Sequence, residues 1–398
     1  MQLTAKQEQG LKIAIERFKN KEKFTVIGGY AGTGKSTLVK FIINALQQYG
    51  VDPEADVCYA AFTGKATQVL QKKGNPNTST LHKLLYKSIP KQTGGYIRIP
   101  KKRGEIEYKV IVVDEVSMAP MTLMQQLFKH GIYLICLGDP FQLPPINPKE
   151  DNHLLDNPHI FLDEVMRQAA ESEIIRLSMD IRAGKEIKFE KGKECQVLPK
   201  SDLTVDMLSW ADQVLCATNA TRTNLNQQMR HLNGKSGDPQ DGDKVICTRN
   251  YWDIFDTADN AMVNGTIGYL QNTFSQHFTL PNYLRSNVKL LPSLTGSIVT
   301  DEGESFNNLD MDYNMFTTEK PTLDWKTSYR LGQNERTRGL IPIEIIYGYA
   351  ITCHRAQGSE WDKVLVVEEG FPFKKDEHAR WLYTAATRAA EKLVLIKK

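Results

Sequence analysis

The feature that most constrains the fold is a glycine-rich segment near the start of the chain. Residues 29–36 read GYAGTGKS and fit the pattern G-x-x-x-x-G-K-[ST]. An apolar run at 24–28 precedes this segment, and a helix-like stretch from Thr37 to Tyr49 follows it. A strand, such a loop and a helix in this order are typical of a phosphate-binding loop in a parallel α/β sheet. A tight strand-to-helix turn is the alternative, and the correctly placed strand and helix argue against it.

The loop supplies the groups that bind the phosphates of a nucleoside triphosphate. Its glycines let backbone N–H groups turn inward around a phosphate, Lys35 can reach the β and γ oxygens, and the Ser36 hydroxyl can hold Mg²⁺. We therefore expect a nucleoside triphosphate and Mg²⁺ at this site. The residues expected to bind the nucleotide here are Gly29, Ala31, Gly32, Thr33, Gly34, Lys35, Ser36 and Thr37.

Polar residues follow two further apolar runs. Residues 110–113 end in Asp114 and Glu115, and the run 133–137 ends in the segment GDPFQ, whose last residue is Gln142. Open α/β sheets bind ligands outside the carboxyl ends of their strands, so we expect these side chains beside the phosphate loop. We assign Asp114 to Mg²⁺, Glu115 to proton abstraction from the attacking water, and Gln142 to sensing the γ-phosphate. For Asp114 alone, a solvent-facing carboxylate is the alternative.

Chain length, net charge and cysteine spacing limit which classes of protein fit the sequence. With 398 residues, the chain is long enough for about two to three domains. The 50 Lys and Arg and 47 Asp and Glu give a formal net charge of +3, so a nucleic-acid site must be a local groove. The six cysteines lack C-x-x-C spacing, which favours buried reduced thiols over disulfides or zinc. The first residues lack the apolar core of a signal peptide and no run of about 18 apolar residues occurs, so we expect a cytoplasmic protein without a membrane partner.

The order of apolar runs predicts two α/β sheets with two insertions. Strand candidates are 24–28, 57–62, 110–113 and 133–137 in the first sheet and 214–217, 349–351, 364–367 and 393–396 in the second. One interrupting segment is rich in Pro, Gly and basic residues, and the other is polar with scattered aromatics. The predicted division is a first α/β domain at 1–85 and 109–165, a hairpin-like insertion at 86–108, a second α/β domain at 166–267 and 341–398, and an accessory subdomain, read as a small β-barrel, at 268–340.

A set of short segments occurs in a fixed order along the chain. These segments are LTAKQ (3–7), GYAGTGKS (29–36), AFTGKA (61–66), TLH (80–82), DEVSM (114–118), GDPFQLPP (138–145), EVMRQ (164–168), AITCHRAQGSE (350–360) and YTAATRA (383–389). As an ordered set they resemble the motifs of superfamily 1 DNA helicases, specifically the RecD-like 5′-to-3′ branch that includes phage Dda-like enzymes. TLH or VMRQ alone would mean little.

The resemblance implies an α/β fold with two RecA-like parallel-sheet P-loop NTPase domains and two small inserted subdomains, a β-hairpin pin and a β-barrel. ATP would lie between the two RecA-like domains, which explains a second sheet without a phosphate loop. Gln7 resembles the adenine-reading glutamine, and Glu360 is assigned to the nucleotide. Arg167 and Arg388 match positions from which a guanidinium stabilises charge on the γ-phosphate in the transition state. A surface or helix-capping role is the alternative for each arginine.

The resemblance also implies a path for single-stranded DNA. The residues expected to hold its phosphates and sugars are Thr63, Lys65, Thr80, His82, Thr352 and His354. Asn250, Tyr251 and Asn264 lie in segments that resemble those preceding the accessory barrel of RecD-like enzymes. Either Tyr251 or Trp252 could stack on a base, with burial in the core as the alternative for Trp252. The alternative for each threonine is a helix cap. The alternative for each histidine is a packed or exposed side chain without a role in binding.

These expectations converge on an ATP-dependent DNA helicase that moves 5′-to-3′ on single-stranded DNA and unwinds duplexes, with ATP and Mg²⁺ as cofactors. Tyr96 in the 86–108 insertion is the candidate strand-splitting wedge. The expected partners are single-stranded DNA and junctions with duplex DNA, with replication or recombination proteins as further candidates. We expect a monomer that acts in a bacterial cell, encoded by the bacterium or a phage. The alternatives are a translocase or RNA helicase that does not split duplex DNA, and a nucleotide-switched binding protein.

Overall fold

The computed structural model describes the backbone of residues 2–90, 96–144, 152–251, 262–280, 290–301, 303–333, 337, 339–370 and 375–398. The side chains at 88–90, 96–98, 167, 168 and 375 lie outside the description. Contacts divide the chain into two compact units. Unit 1 comprises residues 1–87, 100–218 and 351–398, and unit 2 comprises residues 88–99 and 219–350.

The strands are numbered in chain order. They are β1 Phe24–Gly29, β2 Val57–Ala61, β3 Thr78–Thr80, β4 Tyr86–Pro90, β5 Tyr96–Pro100, β6 Val110–Val113, β7 Tyr133–Gly138, β8 Ile160–Leu162, β9 Glu190–Lys191, β10 Cys195–Pro199, β11 Gln213–Cys216, β12 Lys244–Cys247, β13 Ile267–Thr279, β14 Leu290–Thr300, β15 Ser305–Asp312, β16 Ile345–Tyr347, β17 Ala350–Thr352, β18 Trp361–Val367 and β19 Ala389–Lys397.

The α-helices are numbered in the same way. They are α1 Ala5–Lys19, α2 Lys35–Leu46, α3 Gly64–Lys72, α4 Leu81–Leu85, α5 Met121–Phe128, α6 Arg167–Glu171, α7 Glu173–Arg182, α8 Val205–Trp210, α9 Asn219–Leu232, α10 Tyr313–Thr317, α11 Trp325–Gln333, α12 Cys353–Ala356 and α13 Lys375–Ala386. Among the described residues, no helix combines the length and apolar character needed to cross a bilayer.

Unit 1 contains a parallel sheet built around the strand that leads into the phosphate loop. Its strand order is β3-β2-β6-β7-β1-β8, and its paired strands run parallel. Successive residues of β6 pack into hydrophobic cores on opposite faces of the sheet. Val112 packs with Ile27 and Leu38, whereas Ile111 packs with Val26. Both faces of the sheet are therefore covered, which is why its strands are unbroken apolar runs in the sequence. The carboxyl ends of β1, β6 and β7 lie at one edge.

Unit 1 also contains the second sheet, with the strand order β17-β11-β18-β19-β10-β9. Strands β11, β18, β19 and β10 run parallel, and β9 pairs with β10 in the antiparallel sense. Val364, Val366 and Leu395 are buried on the central strands. The sequence predicted β18 and β19 but not β10, which lies between β19 and β9.

Unit 2 contains an antiparallel sheet with the strand order β15-β14-β13-β12-β16. Met311 of β15 forms a bridge with Ile343, just before β16. The Asp312 N–H donates to the Ile343 carbonyl at 2.9 Å, and the Ile343 N–H donates to the Asp310 carbonyl at 2.7 Å. The two edges of this sheet therefore meet and enclose a core that includes Leu270 and Ile298.

The 86–108 segment contains the paired strands β4 and β5. The residues that join them, 91–95, and the Tyr96 side chain lie outside the described part of the chain, so the wedge role of Tyr96 stays a prediction. All six cysteines are buried thiols, as the sequence predicted: Cys58, Cys136, Cys195, Cys216, Cys247 and Cys353.

Candidate functional site

The phosphate loop joins the end of β1 to the start of α2. Gly32 and Gly34 have φ values of +74° and +79°, a left-handed backbone that glycine adopts without strain. A Cβ atom at Gly34 would lie 2.5 Å from the Gln7 amide nitrogen, so the loop also lacks space for a side chain there. Because α2 starts at Lys35, its unpaired N–H groups and positive dipole end face the loop, as an anion site requires.

Two predicted nucleotide residues hold the loop itself in this structure. The Lys35 ammonium donates to the carbonyls of Gly29 at 2.6 Å and Tyr30 at 3.0 Å. Gln7 is buried, and its amide nitrogen donates to the Thr33 carbonyl at 3.2 Å while its oxygen accepts from the Thr4 N–H at 3.1 Å. Gln7 therefore ties the start of α1 to the phosphate loop, and its contact with adenine stays a prediction.

Carboxylates lie at the carboxyl ends of β6 and β7. Asp114 accepts the Glu115 N–H at 2.9 Å. Burial and the neighbouring charge of Glu115 raise the pKa of Asp114, and Lys35 opposes this shift. Burial also raises the pKa of Asp139, again against the charge of Lys35. The lysine of the phosphate loop is thus close enough to interact with both carboxylates.

The donor set at this edge suits Mg²⁺. Ser36 offers an exposed hydroxyl and Asp114 a half-buried carboxylate. Within the described part of the chain, no three His, Cys, Asp or Glu side chains form a metal-binding group of their own. Mg²⁺ usually takes one or two protein ligands and completes its shell with phosphate oxygens and water, so Ser36 and Asp114 fit that ion when a nucleotide is bound.

Gln142 bridges the proposed base and an arginine from the second sheet. In the amide orientation that satisfies both neighbours, the Gln142 nitrogen donates to Glu115 Oε2 at 3.3 Å and its oxygen accepts from Arg388 Nη2 at 3.1 Å. Arg388 is buried, and its Nη1 lies 4.0 Å from Glu115 Oε1. Backbone carbonyls of Thr384 and Ser359 also accept from this guanidinium. Three residues that the sequence assigned to catalysis therefore meet, whereas the Arg167 side chain lies outside the description.

Residues beyond the sequence assignments complete the contact between the two sheets. The Tyr383 hydroxyl accepts from the Ala31 N–H at 2.8 Å and donates to Asp139 Oδ2 at 2.5 Å. Thr384 accepts from the Leu143 N–H at 2.9 Å, and Gln357 donates to the Leu143 carbonyl at 2.6 Å. Tyr383, Thr384 and Gln357 lie inside the helicase-like segments, which is the signal that could have drawn attention to them.

Tyr30 of the phosphate loop makes two ring contacts that no sequence motif predicted. The Arg182 guanidinium lies 3.6 Å from the centroid of the Tyr30 ring, a cation–π distance, and Phe161 meets the same ring edge-on at 5.3 Å. The Met166 N–H donates to the Gly32 carbonyl at 2.9 Å. No local pattern connects these positions, because they come from separate parts of the chain.

Several candidate DNA-binding residues lie at the carboxyl ends of neighbouring strands. Thr63 follows β2 and accepts from the Ala66 N–H at 3.2 Å, and Thr80 ends β3 and accepts from the Lys83 N–H at 3.2 Å. Both hydroxyls therefore cap helices here. A Cβ atom at Gly358 would lie 3.1 Å from the Thr63 hydroxyl, so the AITCHRAQGSE segment approaches Thr63 closely.

The other candidates in unit 1 differ in their surroundings. The His82 ring packs near Phe62 at 5.7 Å and Tyr86 at 6.3 Å. Thr352 is buried at the start of α12, and burial lowers the pKa of His354, which favours its neutral form. Lys65 is half-buried on α3, and Glu360 is exposed with Lys73 at 3.6 Å.

The candidates in unit 2 form one local group. Asn250 accepts the Asn264 N–H at 2.8 Å, which joins the two segments that resemble the family. The Tyr251 hydroxyl accepts from the Glu344 N–H at 2.7 Å, and the ring packs against the core of unit 2. Asn250 and Asn264 are exposed, whereas Tyr251 is half-buried; Trp252 lies outside the described residues.

Known proteins match this chain at both ends. The AAA domain family model matches residues 2–197, and the UvrD-like helicase C-terminal domain model matches residues 347–396. The ATP-dependent RecD2 DNA helicase of Deinococcus radiodurans is 26% identical over 93% of this chain and 46% of its own length. The ATP-dependent DNA helicase dda of Enterobacteria phage T4 is 31% identical over 46% of this chain and 43% of its own length. These similarities indicate a superfamily 1B helicase, the family that the sequence motifs resemble.

Solved structures show that this chain has the expected fold. The Pif1 helicase from Candida albicans aligns with 100% of this chain and 95% of its own, with a TM-score of 0.51 and 19% identity. A Bacteroides Pif1 helicase in complex with ADP-AlF3 and ssDNA aligns with 99% and 92%, with a TM-score of 0.50 and 16% identity. The predicted α/β fold with two RecA-like domains is therefore confirmed. The chain spans less than half of the RecD2 and Dda relatives.

Proposed function

We propose that this chain is an ATP-dependent DNA helicase that moves 5′-to-3′ along single-stranded DNA and separates duplex DNA. The observation that carries the proposal is the cluster of Glu115, Gln142 and Arg388 beside the phosphate loop. A carboxylate base and a buried arginine from a second sheet are the parts needed for fast hydrolysis that depends on the two sheets being together. A slow nucleotide switch does not need them.

The proposed chemistry follows from the charges at this edge. Backbone N–H groups of the loop and the Lys35 ammonium bind the triphosphate, once Lys35 leaves the carbonyls that it contacts here. Bound Mg²⁺, held by Ser36 and Asp114, would neutralise charge on the phosphate oxygens. Glu115 accepts a proton from the attacking water, and Gln142 orients toward that carboxylate. Arg388 stabilises the negative charge of the transition state from the second RecA-like domain.

The proposed DNA site lies where the segments at Thr63, Thr80 and Thr352 follow their strands. Small polar side chains and backbone amides can bind a DNA backbone without a large positive charge, which agrees with a net charge of only +3. The names of the relatives support this substrate, because RecD2 and Dda are called DNA helicases and one Pif1 structure contains single-stranded DNA. Since Thr63 lies close to Gly358 of the AITCHRAQGSE segment, a change in the contact between the two sheets would alter how the protein holds the strand.

We also propose roles for the two insertions and for the assembly. The paired strands β4 and β5 form the pin that divides the duplex, and the sheet of unit 2 is the accessory barrel. Both proposals follow the resemblance to RecD-like enzymes. A monomer suffices for this account, because the base and the arginine come from one chain.

Parallel assays of ATP hydrolysis and strand displacement on a forked DNA duplex test the proposal. We expect wild-type protein to do both, and Glu115→Gln to bind ATP but lose hydrolysis by about 10²–10⁴-fold, as loss of a general base predicts. Glu54→Gln, at an exposed loop position, is the matched control and should behave as wild type. DNA-stimulated hydrolysis without strand displacement would favour a translocase. Hydrolysis stimulated by RNA alone would favour an RNA helicase, and ATP binding without turnover would favour a nucleotide-switched binding protein.

A further inference from the structure

We propose that the Tyr383 hydroxyl is a positioning group for ATP hydrolysis, which holds the 138–143 loop in register with the phosphate loop. This inference rests on the ATPase function proposed above, to which it adds a residue and a means of coupling. Tyr383 lies on α13, far from the phosphate loop in sequence, and its side chain is buried. Its hydroxyl touches both loops at once.

The direction of each hydrogen bond follows from the chemistry of the groups. The Ala31 N–H can only donate, so the phenol oxygen accepts from it at 2.8 Å. The phenol has one proton, which it donates to Asp139 at 2.5 Å. Burial raises the pKa of both Tyr383 and Asp139, and the charge of Asp139 adds to the shift of Tyr383, so the phenol keeps its proton. Tyr383 therefore links a backbone donor of one loop to a carboxylate of the other.

The same contact determines where Gln142 lies. Asp139 uses its other oxygen to accept the Phe141 N–H at 2.9 Å, one residue before Gln142. At the far end of the loop, the Thr384 hydroxyl accepts from the Leu143 N–H, and the Gln357 amide donates to the Leu143 carbonyl. The loop is thus held at both ends by the second RecA-like domain. Loss of the Tyr383 hydroxyl frees the Asp139 end and lets Gln142 move relative to Glu115.

The hydrogen bond from the Ala31 N–H to Tyr383 should depend on whether a nucleotide is bound. This N–H belongs to the phosphate loop, whose N–H groups bind phosphate oxygens, and one N–H donates fully to one acceptor. When a phosphate oxygen accepts the hydrogen bond from this N–H, the Tyr383 hydroxyl retains only its hydrogen bond to Asp139. Binding of nucleotide and the contact through Tyr383 are therefore coupled, and the coupling acts in both directions. Removal of the hydroxyl should therefore leave ATP binding unchanged or slightly tighter, and it should impair the step that needs Gln142.

The test is Tyr383→Phe, assayed for DNA-stimulated ATP hydrolysis. Phenylalanine retains the ring, which meets Phe141 edge-on at 5.2 Å, and removes only the hydroxyl. We expect kcat to fall by about 10-fold or more, as loss of a hydrogen bond to a charged group predicts, while the KM for ATP stays constant or falls. Asp139→Asn should give the same pattern, and the double variant should be no slower than the slower single variant.

Tyr133→Phe is the matched control. It removes a buried hydroxyl of unit 1 that contacts Thr25 at 2.6 Å and the Ala14 carbonyl at 3.0 Å, away from both loops. Its melting temperature should fall at least as much as that of Tyr383→Phe, with a wild-type kcat. A wild-type kcat in Tyr383→Phe, a kcat loss shared by the control, or a change in KM alone would overturn the Tyr383 assignment. If wild-type protein does not hydrolyse ATP, the proposed function itself fails.

Discussion

Glu115 adopts a backbone conformation that is uncommon for its residue type. Its φ of +47° lies in the left-handed region, where a side chain other than glycine costs about 1–3 kcal/mol and often marks a functional site. The turn gives two adjacent carboxylates different surroundings. Asp114 accepts the Glu115 N–H and interacts with Lys35, whereas the Glu115 carboxylate faces Gln142 and Arg388. In the proposed mechanism, one strand end thereby supplies both the metal ligand and the base.

Replacement of Arg388 should separate binding from turnover. Arg388→Ala removes the guanidinium beside Glu115, so we expect DNA-stimulated hydrolysis to fall by about 10³–10⁵-fold, the range of arginine fingers. The Kd for a fluorescent ATP analogue should change little, because the loop and Lys35 provide most of the binding. Arg176→Ala, at an exposed position on α7, is the control for loss of one arginine. Full stimulated turnover in Arg388→Ala would refute the catalytic role of this arginine.

Residues selected from the sequence lie together in the structure, and their catalytic roles stay predictions. Lys35, Glu115, Gln142 and Arg388 were assigned from strand-end positions and family-like segments, and all four lie around the phosphate-loop edge. The contact of Tyr383 with Ala31 joins residues 352 positions apart, so no local spacing could indicate it. The contacts of a polar side chain with two plausible partners, such as Gln7, depend on the fold and cannot be predicted from local sequence.

A buried ion pair connects α9 to β12 in unit 2. Arg230 donates through Nε and Nη2 to the two oxygens of Asp243, each at 3.0 Å. Asp243 also accepts from the Tyr349 hydroxyl at 3.0 Å and from the Gln240 N–H at 2.8 Å. The guanidinium lies 4.3 Å from the Tyr347 ring centroid. The pair thus ties a helix to the first strand of the antiparallel sheet.

Loss of the acidic partner should destabilise the protein strongly. Asp243→Asn leaves the buried Arg230 charge without a counter-charge, so we expect the free energy of unfolding to fall by about 3–5 kcal/mol. Urea unfolding followed by circular dichroism measures this change. Asp180→Asn is the control, because its exposed pair with Lys185 should contribute less than about 1 kcal/mol. Equal losses in the two variants would contradict the role given to the buried pair.

Element prediction succeeded where the apolar pattern was strong. The candidates at 110–113 and 133–137 match β6 and β7 within one residue, because strands buried on both faces are unbroken apolar runs. Pairings between distant strands were not visible. Strand β12 pairs with β16 across about a hundred residues of chain. Local propensity carries no information on such pairs.

At the scale of the whole molecule, unit 1 contains both RecA-like sheets and the full cluster around Glu115. The proposed ATP hydrolysis can therefore depend on contact between the two sheets, and the strand-end residues of the proposed DNA site belong to the same two sheets. The order of family-like segments predicted the two RecA-like domains, which the fold confirms, whereas the roles in ATP hydrolysis and DNA binding stay predictions. Direction of movement stays a prediction, because it follows from resemblance to RecD-like enzymes and from no single distance in the structure.

Strand displacement on paired DNA substrates tests the central claim most directly. The two substrates share one duplex and differ only in a 5′ or a 3′ single-stranded tail, and each is assayed with ATP and with a non-hydrolysable analogue. We predict displacement only from the 5′-tailed substrate, only with ATP, and none by Glu115→Gln on either substrate. Displacement from the 3′ tail alone, or displacement with the analogue, would contradict an ATP-driven helicase that moves 5′-to-3′.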